Sequence, residues 1–118
     1  MSAAKLNLPV IEQGATYRHT LYWKDSSNVP INITGCTARM QLRTTVESTA
    51  VVIELSSTNN RIIITGSLGK IELYISDEDT TVLPPIQAVY DLEVYMSNGD
   101  TVRLIEGKVT IKAEVTRV

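Results

Sequence analysis

Hydrophobic and polar residues alternate along most of this chain, and the alternation breaks only where turn-forming residues cluster. In "TYRHTLYW", Tyr17, His19, Leu21 and Trp23 share one face while Arg18, Thr20, Tyr22 and Lys24 share the other, the period of a half-buried strand. "KDSSNVPIN" then supplies turn chemistry through Asp, Ser, Asn and Pro. "CTARMQLR" resumes the pattern, with Ala38, Met40 and Leu42 inward and Thr37, Arg39, Gln41 and Arg43 toward water. "AVVIEL" and "RIIIT", parted by the polar "SSTNN", predict two further strands. Past the break at "GSLG", "KIELYI" predicts a strand burying Ile71, Leu73 and Ile75.

The segment "SDEDTTVLPP" has a different character. Ser76 suits an N-cap, acidic residues fill the first turn where they complement the helix dipole, and Pro84 stops any helix, so one helical turn is expected near 76–83. "AVYDLEVYM" then sets Ala88, Tyr90, Leu92, Val94 and Met96 against Val89, Asp91, Glu93 and Tyr95. "SNGD" predicts a hairpin with a type I′ turn at Asn98 and Gly99. On the return, Gly107 reads as a bulge, and "KVTIKAEVT" continues as strand with Val109, Ile111, Ala113 and Val115 inward. About seven or eight short, mostly antiparallel strands at this turn spacing predict an all-β, immunoglobulin-like β-sandwich over 15–118, behind an extended arm over 1–14. Tyr90, soon after "LPP", resembles the tyrosine corner of such sandwiches, although their cysteine pair and strand-C tryptophan are missing.

Composition narrows the chemistry. At 118 residues the chain predicts one domain with one core, and its 43% hydrophobic content is that of a globular protein. No apolar run approaches the ~20 residues of a spanning helix, and "MSAAKLNLPVIEQG" has the features of neither a signal nor a transit peptide, so the expected setting is the reducing compartment where the chain is made. A net charge of −2 gives no electrostatic reason to bind nucleic acid, and Arg39 with Arg43 is far short of a phosphate-tracking groove.

Catalysis lacks equipment. Cys36 is the only cysteine and His19 the only histidine, so disulfides, tetrahedral metal sites and nucleophile–base pairs have too few members. Asp91 and Glu93 share a strand face as paired acids, which usually means a solvated surface. The acidic run at 77–79 lacks the spaced ligands and glycine of a calcium loop. Neither an enzymatic activity nor a cofactor is expected.

Taken together, "IEQGATYRHTLYWKDSSNVPINITGCTARMQLR" and "GKIELYISDEDTTVLPPIQAVYDLEVYMSNGDTVRLIEGKVTIKAEVTR" resemble a family of small virion proteins from tailed bacteriophages and prophages. The resemblance spans nearly the whole chain and lies in the order and spacing of the pieces: an opening like "QGATY", the turn from Pro30 to Gly35, a "TARMQLR" strand, and "YDLEV" leading into "VRLIEGKVTI". It departs at His19, where an apolar residue is usual, and at "LPPIQAVY", which lacks a glycine before Tyr90. It implies an immunoglobulin-like structural component of the tail, neck, baseplate or fibre-attachment region, made and assembled in the host bacterial cytoplasm. The implied partners are other virion proteins and symmetric copies of the chain, with neither nucleic acid nor membrane.

On that reading the arm, through Leu6, Leu8 and Val10, and the last strand, through Thr110, Lys112, Glu114 and Thr116, are the expected assembly interface. Capsid decoration is an alternative location. A receptor- or carbohydrate-binding module is an alternative role, favoured if Tyr22, Tyr74 and Tyr95 form one patch.

Overall fold

The alternating segments become strands that bury their apolar parity between two sheets. The computed structural model describes residues 3–116; the outermost two positions at each end of the predicted arm and domain lie outside the described residues. Its strands are β1 (Ala4–Lys5), β2 (Ile11–Glu12), β3 (Tyr17–Tyr22), β4 (Thr37–Arg43), β5 (Ile53–Ser56), β6 (Ile62–Thr65), β7 (Lys70–Ile75), β8 (Gln87–Tyr95) and β9 (Thr101–Lys112). A 3-10 turn, Gly66–Leu68, replaces a plain loop at "GSLG". The larger sheet runs β1-β9-β8-β4-β5, with β2 also on β9, and the smaller runs β3-β7-β6.

This is an all-β sandwich. The order β9-β8-β4-β5 facing β3-β7-β6 corresponds to the G-F-C-C′ and B-E-D sheets of immunoglobulin-like sandwiches. In the constant-type arrangement a first strand lies beside the counterpart of β3; here the leading segment runs parallel to β9, and β3 pairs only with β7 among the described residues.

The core follows the predicted parity. Ala38, Met40 and Leu42 on β4, Ile71, Leu73 and Ile75 on β7, and Ala88, Tyr90, Leu92 and Val94 on β8 are all buried. Ile33 joins them from the turn after Pro30. Half-buried Cys36 packs with its Sγ 3.9 Å from the Met96 sulfur, and His19 sits half-buried opposite Leu73.

Helix α1 (Asp77–Thr81) forms where predicted, with the Ser76 hydroxyl accepting the Asp79 N–H at 3.2 Å. The acidic first turn is therefore accounted for by capping, and Asp79 is further held by Arg61 at 2.7 Å.

Four local expectations are corrected. The β8–β9 hairpin closes through Ser97, Asn98 and Gly99, with the Met96 N–H donating to the Asp100 carbonyl and only Gly99 at positive φ (95°). A type I′ turn needs both central residues there, and the Asn98 side chain instead accepts the Asp100 N–H at 2.9 Å. The ladder irregularity falls at Leu92/Glu93, opposite Leu104, whereas Gly107 pairs regularly with Tyr90. Strand β9 stops at Lys112, leaving Ala113 exposed and Val115 91% exposed rather than inward. Finally, Tyr90 bonds a distant segment instead of a nearby corner.

Candidate functional site

Strand β9 owes its geometry to the leading segment. Residues 4–13 lie along its outer edge, with Ala4 and Lys5 opposite Ile105 and Glu106, and Ile11 and Glu12 opposite Ile111 and Lys112. The partner offset falls from 101 at Ala4 to 100 at Ile11, so the arm carries one extra residue between its two paired stretches. Extra residues leave backbone groups out of the ladder, and those groups must find partners.

Side chains supply them. The Leu6 carbonyl accepts the Tyr90 hydroxyl at 2.5 Å, and the Pro9 carbonyl accepts the Tyr17 hydroxyl at 3.1 Å. The Lys108 N–H donates to Asn7 Oδ1 at 3.1 Å, while the Leu6 and Leu8 N–H groups donate to the Glu106 and Lys108 carbonyls at 2.9 and 3.0 Å. A Cβ at Gly107 would overlap the Leu6 carbonyl, so this glycine marks the close approach of a second backbone. Burial pushes both phenols up to about 12, with Tyr17 adding to the shift at Tyr90. Both hydroxyls therefore stay protonated, as donors must.

Two apolar residues anchor the arm: Leu8 is 7% and Ile11 1% exposed. Each contributes about 1.5–3 kcal/mol by burial. Pro9 sits between them, where its missing N–H removes a donor that the ladder cannot use.

A clamp closes the arm's inner end. Gln13 donates from Nε2 to the Leu83 carbonyl at 2.6 Å and accepts the Glu114 N–H at 3.1 Å, tying together the arm, the segment after α1 and the chain beyond β9. Gly14 then turns at φ 80°, its N–H donating to the hydroxyl of fully buried Thr80 at 3.1 Å. The same hydroxyl donates to the Ala15 carbonyl at 3.0 Å.

The arm and β9, both expected to face other molecules, thus meet within one molecule. Leu6 and Val10 remain 40% and 49% exposed while Leu8 is buried. Thr110 and Lys112 are exposed on β9, Glu114 is half-buried just beyond it, and Thr116 is exposed in a bend. Sequence reasoning missed Tyr17, Tyr90, Asn7 and Gln13 as arm contacts. The available signal was Gly107, since a glycine inside a strand pattern marks either a bulge or an approaching backbone.

The outer face of the larger sheet forms a second feature, a shallow concavity of about 630 Å³ running from Lys5 and Glu106 across Asp91 to Arg43. Register places Gln41 opposite Asp91 and Arg39 opposite Glu93, so the paired acids and paired arginines of the sequence adjoin. Arg103 lies 3.4 Å from Asp91 and 3.9 Å from Glu93, and Arg39 lies 2.6 Å from Glu54. Partial burial raises the Asp91 pKa, opposed by Arg103 and reinforced by Glu93 and Glu106. The face is a lattice of mutually neutralised charges. Tyr95 stands on this sheet, whereas Tyr22 and Tyr74 stand on the smaller one under Lys24 and Arg18, so the three tyrosines form no single patch.

Compared with known proteins, the chain matches no family model and no curated protein.

Proposed function

We propose that this protein is a non-enzymatic structural component of a tailed-bacteriophage particle, joining neighbouring virion proteins in the tail, neck, baseplate or fibre-attachment region. The setting comes from the sequence resemblance. The observation that carries the joining role is the distribution of backbone edges: β9 is covered by the chain's own arm, while the six-residue β3 borders the smaller sheet with no strand beyond it among the described residues. An open edge on a rigid sandwich accepts an added strand through main-chain hydrogen bonds, with Arg18, Thr20 and Tyr22 along one side to set the pairing. Repetition on a symmetric particle makes modest interfaces sufficient, because each added subunit turns the next contact into a local one.

Mass spectrometry and cryo-electron reconstruction of purified parent virions test the reading. The expected result is density for this chain at the tail, neck, baseplate or fibre attachment, with strand-edge contacts. Density on the capsid faces moves the role to decoration, and absence of the chain from the virion sinks the structural role.

A further inference from the structure

We infer that the arm is exchangeable: in assemblies of this protein, residues 4–13 of one copy occupy the β9 edge of a second copy. The inference deepens the joining role proposed above and rests on it for its setting. The acceptor edge is built for this particular segment. It offers the Gly107 notch for a carbonyl, the Tyr90 and Tyr17 hydroxyls for the two carbonyls outside the ladder, and buried seats for Leu8 and Ile11. Its matching occupant is another arm of the same sequence.

The arm is also connected in a way that permits exchange. It forms no hairpin with its acceptor, because its pairing with β9 is parallel and spans about a hundred residues of chain. It joins the body through the turn at Gln13, Gly14 and Ala15, where the Ala15 N–H donates to the Glu12 carbonyl at 3.2 Å. Opening that turn moves the whole arm as one piece. Every arm–β9 contact is then reproduced between copies, so the balance is set by the hinge and by local concentration. Reciprocal exchange between two copies closes as a two-fold dimer, and onward exchange from copy to copy generates larger rings or filaments.

The test uses two full-length single-cysteine chains in a Cys36→Ser background, one carrying Lys5→Cys and the other Glu106→Cys with a different mass tag. These positions are register partners whose side chains adjoin, with Lys5 Nζ 3.1 Å from Glu106 Oε2. A disulfide between the two tagged chains forms efficiently only when the arm of one lies on β9 of the other. The expected result is a mixed disulfide whose yield rises with concentration and exceeds that of a control pairing Lys5→Cys with Glu47→Cys. Deleting Gly14 and Ala15 from both chains raises the yield further, since a shortened hinge disfavours return to the same molecule.

A yield no higher than the control, at the highest attainable concentration of the full-length-hinge pair, overturns exchange whether or not the shortened chains fold. The outcome is separable from the particle role. A chain that exchanges in solution but is missing from virions sinks that role alone. Full incorporation of a Lys5→Cys/Glu106→Cys chain already locked within itself sinks exchange alone.

Discussion

Strand β9, flanked by the arm in the larger sheet, and β3, at one end of the smaller sheet, are treated in opposite ways. Strand β9 is covered by a segment from the far end of the sequence, fixed by tyrosine hydroxyls, a glycine notch and two buried aliphatic residues. Strand β3 has a partner only on its β7 side among the described residues and carries exposed Arg18, Thr20 and Tyr22. Covering an edge takes specific chemistry distributed over many residues, whereas leaving one open needs only polar alternation. The difference separates an edge whose occupant is specified from one whose backbone groups are left open.

The sharpest break in that comparison is Ile11→Ala. It should cost about 2–5 kcal/mol in urea unfolding, because Ile11 is fully enclosed where the arm packs onto the core. Thr20→Lys on β3 should change stability by less than about 0.5 kcal/mol. Equal losses at the two sites would erase the contrast.

High pH probes the same edge chemically. Both phenols are raised from 10 to about 12 in the folded chain, so the unfolded chain gives up these protons first. The stability they contribute is fully present below pH 10 and is lost as pH rises through 12, by at most about 3 kcal/mol per tyrosine. Urea titrations at pH 9 and pH 11.5 measure the loss, and the Tyr17→Phe/Tyr90→Phe double variant should flatten it.

Next in size comes Gly107→Ala, expected to cost about 1–3 kcal/mol by pushing the Leu6 carbonyl off the strand. Hydrogen exchange should quicken at the Leu6 and Leu8 amides while those of β7 keep their protection. Tyr90→Phe at neutral pH should cost about 1–2 kcal/mol, since the Leu6 carbonyl loses its donor. The smallest effect belongs to Asp91→Asn. Burial opposes the charge and Arg103 favours it, so stability should change by under about 1 kcal/mol, read by thermal melting at pH 7.

The contrast also explains what could be read in advance. Alternation located β3, β4, β7 and β8 with their buried parity, because one-sided burial imposes a period of two wherever it occurs. Ser76 and the acids after it located α1, since capping is local chemistry. The arm's place was illegible for the opposite reason: Leu6, Leu8 and Val10 alternate equally well for a partner in the same molecule or another. Val115 misled because its parity continued a strand that had already ended at Lys112, where the arm's Gln13 takes the next ladder bond and then the Glu114 N–H. The hairpin type turned on Asn98, whose side chain found a bond with Asp100 that removed any need for positive φ.

The parallel pairing of the arm with β9 has a consequence for synthesis. Ribosomes make residues 4–12 about a hundred residues before their partners at 105–112. At roughly 5–20 residues per second, the leading segment waits on the order of 5–20 seconds with its acceptor not yet translated. During that interval its own β9 edge does not yet exist. Among the described strands, the one made earliest is the last to be placed.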